Sequence, residues 1–266
     1  HTFLRTDLSL SDYTKKIWNS YACSSILTVA TARTHNKTVE FLKGVEVNAP
    51  MILLDGSLIA TMDKKIIDTK FISQEIADEI INEGAKFGIY PFVLSVADKN
   101  LNEAFLHATT LNVYQEEILK RYAKDDNLIA QKNLKAMQEN FKVVYMGEEA
   151  LLQELSRNLE KKFGASLKFV LAPEAYMGCY FLTILHKDAD KSHGIKSISE
   201  YLGFDLEKLT VFGDNFNDLG MFELAGTSVA MANAQDGVKE LAKIVLPHTN
   251  DEDGVANYLK GLKHDN

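Results

Sequence analysis

The stretch Gly213–Asp218 holds the residues best suited to chemistry in this sequence, because it places two carboxylates four residues apart. It reads Gly-Asp-Asn-Phe-Asn-Asp and follows a short apolar run that predicts a strand. Asp214 and Asp218 could converge on a hard cation such as Mg²⁺, which prefers oxygen ligands and keeps several waters. The same residues are also typical of an Asp/Asn-rich turn in which Asn217 or Asp218 caps the next helix.

Three further polar residues stand where the chain is predicted to leave a strand or to begin a helix. Thr31 and Asp55 each follow an apolar run that predicts a buried strand, and Lys191 opens a predicted helix. In open parallel sheets, ligands bind beyond the carboxyl ends of the strands. A hydroxyl donor, a fixed cation and metal-binding carboxylates at one sheet edge would form a complementary set. Taken singly, Thr31 is typical of a turn or cap residue, and Lys191 of a solvated lysine.

The order of predicted elements divides the chain into a discontinuous α/β core and an inserted α+β segment. Strands and helices alternate with short polar connections over 1–68 and again over 186–266, which is typical of a parallel sheet. Residues 69–185 hold strands and helices without strict alternation, including a charge-rich helix expected over 113–138. We therefore expect a Rossmann-like parallel-sheet core domain that carries a separate α+β cap domain.

Composition argues against several classes of function. The 46% hydrophobic and 25% charged residues are ordinary globular proportions. A formal net charge of -8 argues against a nucleic-acid-binding surface, which usually needs a basic patch. The sequence contains no run of about 18 apolar residues, so we expect no membrane span. We expect Cys23 and Cys179 to be buried structural thiols in a cytoplasmic protein that acts as a monomer or homodimer.

Three motifs resemble those of the haloacid dehalogenase (HAD) superfamily, and within it the Cof-like phosphatases with an α/β (type C2) cap. Thr31-Ala32-Arg33 resembles the Thr-Gly-Arg-like turn after the second core strand of the family. Lys191 resembles the lysine that opens the helix after the cap. Gly213–Asp218 matches the family pattern Gly-Asp-x-x-Asn-Asp at every fixed position.

The resemblance implies a Mg²⁺-dependent phosphatase for a small phosphorylated metabolite, either a sugar phosphate or a phosphorylated cofactor. In the family, an aspartate attacks phosphorus and forms an aspartyl-phosphate, which water then hydrolyses. By this resemblance Asp214 and Asp218 form the metal site, Asp218 by holding a metal-bound water or by orienting Lys191. Lys191 would neutralise phosphoryl charge. The implied phosphate-binding residues are Thr31, Ala32, Lys191 and Asn217.

Two features depart from the family pattern. The family signature begins with a strand ending in Asp-x-Asp-Gly-Thr, whose first aspartate is the nucleophile and whose second is the general acid. Residues 2–4 resemble the sequence just after that glycine, so we expect the strand and both aspartates to lie upstream of His1. The second departure is Asp55, where relatives commonly have asparagine. Because a carboxylate there would repel an anionic substrate, Asp55 is not among the predicted site residues.

Two other functions stay open at this point. A catalytically inactive HAD-fold binding or regulatory protein would retain the fold without the nucleophile. A phosphomutase on the same scaffold would require a bisphosphate activator. The predicted cap would close over the substrate, and its candidate polar residues are His107, Tyr114 and Tyr176. His193, close to Lys191, is a further candidate for substrate contact.

Overall fold

The computed structural model describes residues 1–100, 102–121, 127–174 and 177–262. The helices are α1 (Asp12–Asn19), α2 (His35–Phe41), α3 (Gln74–Lys86), α4 (Val113–Arg121), α5 (Glu149–Phe163), α6 (Lys191–Leu202), α7 (Leu219–Leu224), α8 (Asp236–Leu241) and α9 (Gly254–Leu262). The strands are β1 (Met51–Leu53), β2 (Leu58–Ala60), β3 (Ile66–Thr69), β4 (Ile72–Ser73), β5 (Phe92–Val96), β6 (Glu103–Ala108), β7 (Leu128–Gln131), β8 (Glu139–Gly147), β9 (Leu167–Glu174), β10 (Cys179–His186), β11 (Thr210–Gly213), β12 (Thr227–Ala230) and β13 (Ile244–Val245).

The chain divides into two compact units, one discontinuous and one continuous. The core unit consists of His1–Thr69 and Asp190–Asn266, and the inserted unit is Lys70–Ala189. Helices and strands occur in both, and the core unit contains parallel strands, so the predicted α/β class is confirmed. Across the described ranges, no helix combines the length and apolar character needed to cross a membrane.

In the described residues, the core unit contains two three-stranded sheets. Strands β11, β12 and β13 run parallel in that order, and β1, β2 and β3 run antiparallel. The predicted hairpin after Asp55 is therefore confirmed as β2 and β3. The residues of β1 and β2 are almost fully buried, because an apolar run of this kind is stable in water only when both faces of the strand are covered. These sheets hold the loops of the candidate site.

The predicted strand Ile26–Ala30 is shorter than expected. Only Ala30 forms a bridge, which is parallel to Ile52. The backbone nonetheless continues a parallel ladder, since Ile52 donates to the carbonyl of Val29 at 2.9 Å and Thr31 donates to the carbonyl of Ile52 at 2.8 Å. The segment pairs along this one side in the described structure, which gives it too few bonds for a regular strand but still places Thr31 at its carboxyl end.

The inserted unit is a mainly antiparallel sheet with helices on both faces. Its strands follow the order β7-β6-β5-β8-β10-β9, and β4 pairs with β8. Helices α3 and α5 bury apolar side chains such as Ile80 and Leu155 against one face. Helix α4 packs Ile118 and Leu119 against Phe92 on the other face. This arrangement has the α+β character expected of the segment.

Two expectations from the sequence are wrong. The helix expected over 113–138 ends at Arg121 in the described residues, and Leu128–Gln131 forms a strand. This short segment pairs in parallel with β6, so a tertiary partner overrides the local charge-rich composition. Cys23 is exposed because it lies in the turn after α1, whereas Cys179 is buried in β10 as expected.

Candidate active site

The turn after β11 is built around Gly213. A Cβ atom at this position would lie 2.6 Å from the Cβ of Asp218, so only glycine lets the chain fold back this tightly. The returning carboxylate accepts hydrogen bonds from the backbone N–H groups of Asp214 at 2.9 Å and Asn215 at 3.2 Å, both through Oδ2. Asn215 and Asp218 also form a capping box. The Asp/Asn-rich turn expected from the sequence is therefore present, and Asp218 stabilises it.

Lys191 forms a buried ion pair with the same carboxylate. Helix α6 begins at Lys191, and Asp190 caps it by accepting the backbone N–H of His193 at 2.7 Å. The ammonium Nζ of Lys191 donates to Oδ1 of Asp218 at 2.7 Å. The two residues are only 7% and 3% exposed, so Lys191 is not a solvated lysine at a helix end. Burial of a charged pair is tolerated when the partners satisfy each other by hydrogen bonds.

Asp214 lies half-buried beside this pair and contacts the N-terminal segment. The hydroxyl of Thr2 donates to Oδ1 of Asp214, and Asn233 donates its side-chain N–H to the carbonyl of His1 at 3.0 Å. Residues 1 and 2 therefore lie at the carboxyl end of β11. Thr2 was not among the predicted site residues. The resemblance that placed residues 2–4 directly after the family's aspartate motif was the signal that could have identified it.

Thr31 is held at the carboxyl end of the neighbouring strand pair. Its carbonyl accepts the backbone N–H of Asp55 at 3.1 Å, and its hydroxyl oxygen accepts the backbone N–H of Arg33 at 3.2 Å. Since that hydroxyl accepts one bond through its oxygen, its hydrogen remains suited to donation. Ala32 lies half-buried in the same turn. The predicted Thr31-Ala32-Arg33 loop is thus an ordered turn.

A turn with left-handed backbone, residues 54–56, connects three loops of the site. The φ angles of Leu54, Asp55 and Gly56 are 51°, 58° and 96°. A Cβ atom on Gly56 would lie 2.2 Å from the carbonyl oxygen of Asp190, so the turn packs directly against the start of α6. Asn217 donates to Oδ1 of Asp55 at 3.4 Å. Asp55, which sequence reasoning left out, therefore lies at the site and contacts a predicted phosphate-binding residue.

The structure thus brings together the residues whose chemistry was singled out in the sequence. Asp218 contacts both the ammonium of Lys191 and the backbone N–H of Asp214, and Asp55 links Thr31 with Asn217. A buried ammonium and an accessible carboxylate at the carboxyl edge of a parallel sheet are suited to binding an anion together with a cation. This is the arrangement expected for phosphoryl chemistry.

Comparisons with known proteins identify the family. A family model described as haloacid dehalogenase-like hydrolase matches residues 1–259. The chain belongs to this family. Its fold also resembles that of TM0651 from Thermotoga maritima, with a TM-score of 0.79 and 24% identity over 97% of this chain and 93% of the other. The HAD fold and the recognition made from the motifs are therefore confirmed.

Two curated relatives of this HAD hydrolase are phosphatases. The 5-amino-6-(5-phospho-D-ribitylamino)uracil phosphatase YitU of Bacillus subtilis is 43% identical over 81 residues, which are 30% of this chain and 30% of that protein. The pyridoxal phosphate phosphatase YbhA of Escherichia coli is 48% identical over 60 residues, which are 23% and 22% of the two chains. The matched part thus spans less than a third of each relative's length.

The donor set of this HAD hydrolase fits a hard divalent cation. Asp214 offers a carboxylate oxygen at the sheet edge, and Mg²⁺ is usually bound through one or two carboxylates together with waters and substrate phosphate. Within the described ranges, no cluster of three or more His, Cys, Asp and Glu residues is arranged to hold a metal.

The other candidate residues have local partners. His107 is buried, and its Nδ1 lies 2.8 Å from the carbonyl oxygen of Ala108. Tyr114 donates to the carboxylate of Glu148. Tyr176 lies outside the described residues. His193 places Nε2 at 2.6 Å from Oδ2 of Asp68 in the core unit, so substrate contact by His193 stays a prediction.

Proposed function

We propose that this HAD hydrolase is a Mg²⁺-dependent phosphatase whose active site is the cluster around Lys191, Asp214 and Asp218. The observation that carries the proposal is the buried ammonium of Lys191, held 2.7 Å from Asp218 at the carboxyl end of β11. A preorganised cation in a site that excludes water stabilises charge that develops on a transferring phosphoryl group. Phosphoryl transfer depends mainly on such positioning and charge stabilisation.

Asp218 acts in this proposal by orienting Lys191. Its Oδ1 accepts from Lys191, and its Oδ2 accepts from the backbone of Asp214 and Asn215. Both oxygens are therefore engaged by protein donors, which favours orientation of Lys191 over direct contact with a cation. Asp214 would hold Mg²⁺ through its carboxylate. When bound, the ion would act as a Lewis acid and template for the phosphate.

The phosphate would be bound by groups on the neighbouring loops. The Thr31 hydroxyl would donate to a phosphoryl oxygen, and the turn at Ala32 would approach the same group. Asn217 would support it from the β11 side, where its amide contacts Asp55. This set supplies hydrogen bonds, while Lys191 supplies the charge, so recognition of a phosphate monoester needs no strongly basic surface.

The proposed reaction proceeds through an aspartyl-phosphate whose aspartate belongs to a segment upstream of His1. Its carboxylate oxygen would form a bond to phosphorus while the ester P–O bond breaks, and the leaving oxygen would take a proton from the second aspartate. Water would then give a proton to the second aspartate and attack phosphorus, and the bond between phosphorus and the aspartyl oxygen would break, which releases inorganic phosphate and restores the carboxylate. The position of His1 and Thr2 beside Asp214 supports this proposal, because residues that precede them would enter the site.

The substrate we propose is a small phosphorylated metabolite, either a sugar phosphate or a phosphorylated cofactor. The relatives' names support it, since one is a phosphatase for a phosphorylated ribitylaminouracil and another for pyridoxal phosphate. We further propose that the inserted unit, 70–189, is the cap domain that selects the leaving group. In this proposal, the molecule that binds the enzyme is its small phosphorylated substrate.

The experiment is to measure phosphate release from pyridoxal phosphate and from hexose phosphates with and without Mg²⁺, using a chain that includes the proposed segment upstream of His1. We expect activity that a chelator abolishes and that Mg²⁺ restores. Lys191→Ala and Asp214→Asn should each lower kcat/KM by at least about 100-fold, while Lys239→Ala on α8, whose ammonium pairs with the exposed Asp236, should not. Activity that survives either substitution would contradict the site assignment. Binding of phosphate without turnover would favour the inactive binding protein, and a requirement for a bisphosphate activator would favour the phosphomutase.

A further inference from the structure

The N-terminal loop, residues 1–11, is fastened to the segment 233–253 at four points. The carbonyl of His1 accepts from Asn233, and the carbonyl of Leu4 accepts from the buried amide of Asn250 at 3.1 Å. The other two points are ion pairs or hydrogen bonds to carboxylates: Arg5 with Asp253, and Thr6 with Asp251. Asn250 also donates its backbone N–H to Asn233 at 3.0 Å, so the attachments form one connected network.

Asp253 is the centre of this network. It accepts from Arg5 at 2.7 Å, from the hydroxyl of Ser11 at 2.8 Å and from the hydroxyl of Thr14 at 3.0 Å. Burial alone would raise the pKa of Asp253, but the hydrogen bonds from these three residues outweigh it and hold the pKa below its ordinary value. The residue also has a φ angle of 58°, which is uncommon for a side chain other than Gly, Asn or Asp. The carboxylate therefore ties the loop to the start of α1.

The N-terminal loop also contacts Asp214, which is the candidate cation ligand. Thr2 donates its hydroxyl hydrogen to Oδ1 of Asp214. The next residue, Phe3, packs against Trp18 with ring centroids 4.5 Å apart and ring planes tilted by 49°. Trp18 is the one tryptophan of the sequence and is buried. The order along the loop is thus Asp214 contact, aromatic anchor, and carboxylate network, within six residues.

We propose that Asp253 is a positioning residue for Asp214, because it holds the N-terminal loop so that Thr2 fixes the orientation of the Asp214 carboxylate. A carboxylate held in one rotamer loses less conformational freedom on cation binding than a mobile one. The affinity for the divalent cation therefore depends on Asp253, which contacts the loop at Arg5 and Ser11 and not at Thr2. This inference rests on the proposed function, since it takes Asp214 as the cation ligand.

The test is isothermal titration calorimetry of the protein with Mg²⁺ alone, accompanied by the emission spectrum of Trp18. Asp253→Asn keeps the shape of the side chain and removes the charge that faces Arg5. We expect it to raise the Kd for Mg²⁺ about tenfold and to shift the Trp18 emission, because Phe3 loses its fixed position. Arg5→Gln leaves the donors Ser11 and Thr14 in place, so we expect a smaller rise, about threefold, in a variant that keeps more of the network.

The matched control is Asp205→Asn, whose side chain caps the turn Leu206–Lys208 in the same unit. A folded Asp253→Asn or Arg5→Gln variant with the wild-type Kd would overturn the inference, as would an equal rise in the control. Asp214→Asn separates this inference from the function on which it rests. If Asp214→Asn does not weaken Mg²⁺ binding, both fail. If Asp214→Asn abolishes binding and Asp253→Asn leaves it unchanged, only the positioning role fails.

Discussion

Replacing Lys191 with methionine removes the ammonium from a buried ion pair and leaves the Oδ1 atom of Asp218 without its donor. Breaking a buried pair by removing one partner costs about 3–5 kcal/mol of unfolding free energy. Oδ2 of Asp218 still accepts two backbone N–H groups in this variant, so we expect the lower end, about 3 kcal/mol. Asp218→Ala instead deprives both those N–H groups and the ammonium of their acceptor. We therefore expect about 5 kcal/mol for Asp218→Ala.

The assay is urea unfolding at pH 7 followed by the fluorescence of Trp18, which is buried in the same unit. The double variant Lys191→Met/Asp218→Ala should lose less free energy of unfolding than the sum of the two single losses, because it leaves neither a buried ammonium nor a buried carboxylate unpaired. Lys239→Met is the control, because its partner Asp236 has a 97% exposed side chain, and it should not change stability measurably. The reasoning is refuted if Lys191→Met lies within about 1 kcal/mol of wild type, or if Asp218→Ala destabilises no more than Lys191→Met.

Two further predictions concern acid stability and backbone geometry. The folded-state pKa of Asp253 is depressed, so its stabilisation is present above about pH 4 and is lost as the pH falls through that pKa. The unfolded pKa of an aspartate is about 4, so between about pH 5 and pH 3 the melting temperature of Asp253→Asn should vary less than that of the wild type. An unchanged dependence of the melting temperature on pH would contradict this. Gly56→Ala should destabilise by more than about 2 kcal/mol, because its Cβ would meet the backbone of Asp190. Gly203→Ala, also at positive φ but with open space, should lose only about 1 kcal/mol in the same urea assay.

Local patterns were sufficient to predict the elements that carry the site. The strand ends at Thr31, Asp55 and Asp214 follow from apolar runs that close on polar residues, and the hairpin after Asp55 follows from alternation. The inserted sheet was harder, because Leu128–Gln131 becomes a strand only through its pairing with β6. Strand β6 itself buries Glu103 and His107, which masks the apolar signal of a central strand.

The contacts within the site could not be derived from spacing. Lys191 and Asp218 are separated by 27 positions and Thr2 and Asp214 by 212, so only the fold brings each pair together. The family resemblance predicted that Lys191 and Asp218 belong to one site, but the sequence left open whether Asp218 orients Lys191. The hydrogen bonds favour that role, because Oδ1 of Asp218 accepts from Lys191 while Oδ2 accepts from the backbone N–H of Asp214. Asp55 is excluded from the predicted site residues because of its charge alone. The left-handed backbone of residues 54–56 nevertheless brings it into contact with Asn217.

The most direct test of the account is the anomalous diffraction of a crystal soaked with Mn²⁺ and inorganic phosphate. We predict an anomalous peak in coordination contact with the carboxylate of Asp214, with a phosphate beside it that accepts from the ammonium of Lys191 and the hydroxyl of Thr31. A peak at another position, or a phosphate bound away from Lys191, would contradict the assignment of this cluster as the phosphoryl-binding active site.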